Sequence, residues 1–164
     1  MLQIAILALV TVQRMAELIL ARRNTRRLLA QGAREYGANH YPIIIVLHAM
    51  WLLGLWAIAW QHPVTVGWLA AYAVLQVLRI WVLLSLGARW TTRIIVLPGE
   101  APIRKGPYRF LAHPNYAVVA GEIAVLPMVF SMPVYAAVFT LLNALVLSLR
   151  IGAENAALGE RPMV

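Results

Sequence analysis

The stretch Arg104-Lys-Gly-Pro-Tyr-Arg-Phe-Leu-Ala-His-Pro-Asn-Tyr116 places charged and polar side chains between two long apolar runs. Its Gly-Pro pair predicts a turn, and Pro114 fits the first turn of a helix that begins there. His113 and Tyr116 are three residues apart and would share one face at the mouth of that helix. Backbone N–H groups, a ring nitrogen and a phenol can hold a small molecule, but Tyr is equally typical of a helix end at the lipid interface.

The composition indicates an integral membrane protein. Of the 164 residues, 62% are hydrophobic and 12% are charged, with a mean hydropathy of +0.76, whereas a soluble domain carries roughly 25% charged residues. The first apolar run has no basic leader before it, so we expect it to remain in the mature protein. Cysteine and Asp are absent. The sequence therefore offers no disulfide, thiolate metal site or cysteine nucleophile, and without an HExxH motif we expect no metal.

Five apolar runs predict an all-α membrane protein with about five transmembrane helices in a single domain, residues 1–164. An outside N-terminus places both arginine-rich loops and the C-terminus in the cytoplasm, as the positive-inside rule requires. The net charge of +8 then reflects topology and anionic lipid or substrate, and no nucleic acid partner is expected. Residues 21–41 are expected to lie as an amphipathic segment against the headgroups. The predicted spans cover about residues 2–20, 42–60, 64–86, 116–132 and 133–151.

Some polar side chains fall within these spans. Gln13, Arg14 and Glu17 are interpreted as the inner end of the first span. His48 is interpreted as a hydrogen-bonded core residue in preference to a ligand-binding one. Arg79 lies eight residues before Gly87, about 12 Å below the helix end. Burying its guanidinium group at this depth costs several kcal/mol unless the charge is paired. We therefore expect Arg79 to have a partner, and an anionic substrate would be one.

The candidate nucleophiles are ordinary serines in apolar runs, without His or Asp at spacings that indicate a triad. The sequence also lacks GxGxxG and GxxxxGK[ST], which argues against a soluble-type nucleotide fold. What remains is a site that binds and aligns molecules. Such a site suits a transferase with a reactive cosubstrate, because alignment supplies much of the rate.

Four stretches carry a resemblance to a known family: residues 106–116, 150–158, 89–99 and 35–42. In these the chain resembles the isoprenylcysteine carboxyl methyltransferase family, and its bacterial branch in particular. The likeness covers nearly the whole chain. The family implies S-adenosylmethionine as methyl donor in a cytoplasmic loop region, and a lipophilic or lipidated acceptor that enters from the bilayer of a bacterial cell membrane. The bacterial branch is similar to enzymes that methylate long-chain alkylpyrones.

The resemblance also implies roles for individual residues. His113, Pro114, Asn115 and Tyr116 match the HPxY cofactor turn, and the preceding Arg104, Lys105 and Gly106 are assigned to cofactor binding with it. Arg79 matches an arginine that orients the acceptor anion, and Glu154 the first of a C-terminal acidic pair; both are the predicted catalytic residues. The sequence departs from the family at Ala112, where Arg is common, and at Asn155, the second position of the acidic pair.

Two other function classes remain open at this point. A membrane reductase of the sterol type shares an HPNY-like turn, and its NADPH phosphates would meet Arg89, Arg93, Arg104 and Lys105. A non-catalytic lipid-binding protein would account for the basic loops. It would not account for an arginine deep within a span.

Overall fold

The computed structural model describes residues 1–101 and 103–159, with side chains described as far as residue 157. The predicted domain of residues 1–164 thus includes six residues, 102 and 160–164, outside the described part. A two-stranded sheet accompanies the helices, and short 3-10 turns join them. The elements are α1 (Leu2–Ala30), β1 (Arg34–Tyr36), α2 (Tyr41–Ile58), α3 (Val66–Leu86), β2 (Ile94–Val96), α4 (Pro114–Val129) and α5 (Pro133–Gly159).

The chain is an integral membrane protein built from apolar helices. Four of them, in the described part of the chain, are long and apolar enough to cross a membrane. The fifth, α4, has 16 residues and is about 24 Å long, shorter than a hydrocarbon core of roughly 30 Å. The predicted five spans are thus supported for four helices. The orientation of the N-terminus remains a prediction.

Helix α1 differs from the prediction that a first span ends near residue 20. It continues without a break to Ala30, so residues 21–30 extend the first helix instead of forming a separate segment. Arginine and leucine are good helix formers, and neither Gly nor Pro occurs before Gly32. The helix ends where Gly32 takes a φ of +89°, a conformation that favours glycine.

Helix α4 lies between α3 and α5 and packs closely against both. Its side chains Leu126 and Val129 are fully buried in the apolar core, which Trp51 and Leu55 of α2 also join. Because α4 begins at the HPNY turn, its packing fixes where that turn lies. The core therefore positions the candidate site.

The small sheet joins the two arginine-rich loops. Strands β1 and β2 are antiparallel, with Glu35 opposite Ile95, and β2 lies in a run of β-branched residues, which favour strands. Ile94 and Val96 pack against Ala153 and Ala157 of α5. The sheet thereby covers one end of the helix bundle, which we call the arginine-rich end: the C-terminal ends of α1, α3 and α5 and the start of α4.

Candidate functional site

A cavity of about 190 Å³ lies at the arginine-rich end, between the sheet, the start of α4 and the last turns of α5. Leu28, Ile94 and Val96 give it an apolar wall. The opposite side is polar. There it is lined by His113, Asn115, Tyr116, Arg150 and Glu154. We call His113, Tyr116, Arg150 and Glu154 the Glu154 cluster.

The HPNY turn and α5 meet at the carboxylate of Glu154. The hydroxyl of Tyr116 donates a hydrogen bond to Glu154 Oε2, and His113 Nδ1 lies 3.7 Å from the same oxygen. Pro114 occupies the first turn of α4, where its missing N–H costs nothing. The Tyr116 N–H bonds the His113 carbonyl at 3.1 Å, and the two rings stack with centroids 5.4 Å apart. The turn therefore holds both rings against one carboxylate.

Arg150 is the site residue that the sequence analysis missed. Its spacing of four residues from Glu154 on the same helix is typical of a surface ion pair, yet it is 6% exposed. Its Nη2 donates to the carbonyl of Thr92 at 2.9 Å, and its Nε lies 3.5 Å from the Tyr116 hydroxyl. The sequence signal that could have indicated Arg150 as a site residue is its position on α5, one turn before Glu154. The structure thus puts a buried cation beside the cavity.

Further arginines hold the second basic loop at the rim of the cavity. Arg93 donates to both oxygens of Glu35, at 2.8 and 2.9 Å, and lies over the ring of Tyr41. The hydrogen bond to Glu35 raises the pKa of Arg93, so the guanidinium stays charged. Arg89 donates to the Ala101 carbonyl at 3.0 Å. The ion pair between Arg93 and Glu35 therefore holds the second basic loop against strand β1.

Tyr108 adds a neutral phenol to the cavity lining. Burial, with the charge of Glu154 nearby, raises the pKa of Tyr108 above its ordinary value. The group keeps its proton at neutral pH and can donate a hydrogen bond. The sequence analysis did not single it out, because its place at the cavity depends on the turn of residues 106–109.

The other predicted cofactor residues are arranged differently. Arg104 and Lys105 are exposed, and among the described cavity-lining residues neither is present. Gly106 has a φ of +57°, and a Cβ there would collide with the side chain of Ser85. The glycine allows the loop to pass close to α3. A cofactor role for these three residues stays a prediction.

Arg79 lies in a second polar region, within the helix bundle. Its Nε donates to Glu17 Oε1 at 2.6 Å, and its Nη1 to Glu122 Oε2 at 2.9 Å. Arg14 reaches the same two carboxylates, at 3.1 Å to Glu17 and 2.7 Å to Glu122. We call Arg14, Glu17, Arg79 and Glu122 the ion quartet. Two cations and two anions balance, so the partner that Arg79 needs comes from the protein.

Two amides complete the hydrogen bonding of the quartet. The side chain of Gln13 donates to Glu17 Oε1 at 3.0 Å and to Gln76 Oε1 at 2.7 Å, while Gln76 Nε2 donates to Glu122 Oε1 at 2.9 Å. Residues 13–17 thus have hydrogen-bonded partners on α3 and α4, within a helix that continues past them. His48 bonds the Ile44 carbonyl of its own helix at 2.8 Å.

The model of the isoprenylcysteine carboxyl methyltransferase family matches residues 65–160. The chain belongs to this family. The matched segment contains all of the Glu154 cluster and half of the ion quartet. Helix α1 and strand β1 lie outside the matched segment, and they supply Arg14, Glu17 and Glu35. The predicted family is confirmed, and the protein is a membrane methyltransferase.

A relative extends the likeness beyond the matched segment. A Bacillus subtilis protein named uncharacterized protein YpbQ is 42% identical over 160 residues, which cover 94% of this chain and 95% of that one. No solved structure matches the chain. The bacterial relative agrees with a place in a bacterial cell membrane. Family membership favours methyl transfer over the reductase and the lipid-binding scaffold.

Proposed function

We propose that the protein is an S-adenosylmethionine-dependent O-methyltransferase that acts on a lipophilic anionic acceptor at the inner membrane face. The acceptor would be a prenylcysteine-like carboxylate or a long-chain alkylpyrone enol. One observation carries the proposal: the carboxylate of Glu154, held by the HPNY turn, faces a cavity at the arginine-rich end. The family supplies the reaction class.

The residues around the cavity suit the chemical groups of S-adenosylmethionine. Glu154 complements a sulfonium or ammonium charge, and Arg150 complements a carboxylate. The wall of Leu28, Ile94 and Val96 offers an apolar surface to an adenine ring. The cavity of about 190 Å³ is smaller than the roughly 300 Å³ at which small-molecule sites begin. Part of the ligand would therefore extend beyond it.

S-adenosylmethionine, when bound, supplies an electrophilic methyl group on a sulfonium sulfur. A carboxylate or acidic enol acceptor is already anionic near neutral pH, so the protein needs no general base. Glu154, fixed by Tyr116, stabilises positive charge at the donor side of the cavity. Arg150 uses two of its N–H groups on Thr92 and Tyr116, and a guanidinium has five. The remaining donors can orient an anionic group, which is the role we assign to Arg150.

The predicted role of Arg79 as the acceptor ligand carries a cost in this arrangement. Arg79 would first have to release Glu17 or Glu122, and breaking a buried ion pair costs about 3–5 kcal/mol. It is 5% exposed and makes contacts to both carboxylates. We therefore propose that Arg79 fixes α4 within the bundle and so supports the turn that carries Tyr116.

Calorimetric titration of the detergent-purified protein with S-adenosylmethionine, S-adenosylhomocysteine and NADPH tests the cofactor. We expect micromolar binding of the two adenosyl ligands, weakened in His113→Ala, which removes a ring from the cavity. His62→Ala is the matched control, because His62 lies in the turn between α2 and α3 at the other end of the bundle. Binding of NADPH alone would contradict the proposal.

The acceptor is tested separately. Purified protein, S-adenosylmethionine labelled in its methyl group and a bacterial lipid extract are incubated together, and the organic phase is fractionated. We expect label in a lipophilic product that releases methanol on mild alkaline treatment if the acceptor is a carboxylate. A label that resists alkali indicates an enol ether. Label confined to the aqueous phase would contradict a lipophilic acceptor.

A further inference from the structure

Helix α1 presents four exposed arginines on one side as it leaves the apolar part of the bundle. They are Arg22, Arg23, Arg26 and Arg27. Within the described residues none of the four has a carboxylate partner, unlike Arg14 on the same helix, which contacts Glu17 and Glu122. Four guanidinium groups thus form a patch of positive charge with free hydrogen-bond donors.

This patch continues a stripe that faces lipid. Leu9, Val12 and Ile19 are 70%, 66% and 68% exposed, and Arg23 and Arg26 follow at the same spacing of three and four residues. Residues 2–20 of an α-helix span about 28 Å, close to the roughly 30 Å hydrocarbon core. The first two arginines therefore come at the depth of the lipid headgroups.

The opposite side of the same turns is attached to the site. Asn24 donates to the carbonyls of Trp90, at 2.8 Å, and Gly87, at 3.2 Å. Leu28 is buried and lines the cavity. The last turns of α1 thus have one face toward the cavity wall and the other toward the membrane surface.

From this juxtaposition we infer that the arginine face of α1 binds the phosphate groups of anionic phospholipids in the adjoining leaflet. Arginine forms bidentate hydrogen bonds with phosphate, and basic clusters beside a membrane span attract anionic lipid. The bound headgroups hold the end of α1 against Trp90 and the cavity wall. The lipid is then a structural partner of the site. This inference does not depend on the identity of the methyl acceptor.

Thermal unfolding in mixed micelles tests it. The protein is heated in detergent with dioleoylphosphatidylglycerol or, at the same mole fraction, dioleoylphosphatidylcholine. We expect the anionic lipid to raise the melting temperature by roughly 3–6 °C more than the zwitterionic lipid. Rising salt should shrink this difference, because phosphate contacts at a surface are screened.

Variants decide whether the arginine face is responsible. Arg22→Gln with Arg23→Gln should remove most of the lipid-specific shift, and Arg26→Gln with Arg27→Gln less, because those two lie about 6 Å farther along the helix. The charge-matched control is Lys105→Gln with Arg109→Gln, two exposed cations of the second loop. An equal loss in the control would overturn the inference.

Two further results would also overturn it. One is an unchanged lipid-specific shift in the variant that replaces all four arginines by Gln. The other is the same shift with inorganic phosphate in place of the lipid, which would show a site for free anions. All variants are read against their own melting temperature in the zwitterionic lipid, so altered baseline stability is separated from lost lipid binding.

Discussion

The Glu154 cluster and the ion quartet use the same residue types in opposite ways. In the quartet each carboxylate accepts bonds from two arginines and an amide, and Glu122 has no exposed surface. In the cluster Glu154 is held by Tyr116 while 30% of its side chain remains exposed beside a cavity. Depth in the membrane does not distinguish a chemical site from a structural one. Unused hydrogen-bonding capacity next to open space does.

The two regions are close and linked through α4. Tyr116 and Glu122 are six residues apart on this helix, about 9 Å along its axis, and they face different neighbours. Tyr116 contacts α5, whereas Glu122 contacts α1 and α3. The quartet therefore locks the helix whose first turn forms the site. Substitutions in the two regions should separate stability from ligand binding.

The largest expected effect is on stability, from Glu122→Ala. It leaves Arg14 and Arg79 to share one carboxylate, and loss of one partner from a buried ionic group costs about 3–5 kcal/mol. We expect the melting temperature in detergent to fall by roughly 6–20 °C. Arg79→Ala, which leaves Glu17 and Glu122 with Arg14 alone, should lower it similarly. Unchanged melting in both variants would show that the quartet is not structural.

The next effect is on binding, from Glu154→Gln. Removing the charge from a group that contacts a cationic ligand should cost about 1.5–3 kcal/mol of binding free energy. The dissociation constant for S-adenosylmethionine should therefore rise roughly 10- to 150-fold. The melting temperature should change little, because the side chain is partly exposed. Calorimetry measures the constant, and Gln61→Ala, at an exposed position between α2 and α3 at the other end of the bundle, is the control. Binding as tight as in the parent protein would remove Glu154 from the site.

A smaller effect is expected from Tyr116→Phe. The ring still stacks on His113, but the hydroxyl that donates to Glu154 is lost, which typically costs about 0.5–1.5 kcal/mol. We expect S-adenosylmethionine to bind about 2- to 10-fold more weakly. Tyr135→Phe is matched to it, since that hydroxyl bonds the Trp51 carbonyl at 2.8 Å in the core. A ligand constant that changes only in the Tyr135 variant would contradict the assignment.

The smallest effect is expected from Glu35→Ala at the rim. Arg93 is 41% exposed in its ion pair with Glu35, and exposed pairs contribute about 0–1 kcal/mol. Stability should fall by no more than that, and the loss should disappear at high salt. A loss as large as that from Glu122→Ala would mean that solvent exposure does not separate the two regions.

Much of the fold could be predicted because apolar runs and proline positions are local signals. Pro42, Pro114 and Pro133 each mark the first turn of a helix in the structure. The sequence also singled out the HPNY turn and, through the family likeness, Glu154, and the structure brings the two into contact. The small sheet was not predicted, because the partner of β2 is a strand about sixty residues earlier in the chain.

The pairing of charges could not be predicted in the same way. Arg79 is 62 residues from Glu17 and 43 from Glu122, and only the packing of three helices brings them together. Sequence reasoning saw a buried cation without a partner and assigned it to the substrate. It did not single out Arg150, because a possible partner, Glu154, lies one helical turn away. Both interpretations depended on local spacing, whereas the contacts are made between helices.

Photochemical labelling tests the central claim most directly. The purified protein is irradiated with S-adenosylmethionine radiolabelled in its methyl group, digested, and its labelled peptides are identified by mass spectrometry, with unlabelled S-adenosylhomocysteine as competitor. The account predicts competed labelling in residues 89–97, 108–116 or 150–157, around the Glu154 cluster. Competed labelling confined to the segments of α1 and α3 that carry Arg14 and Arg79 would contradict it.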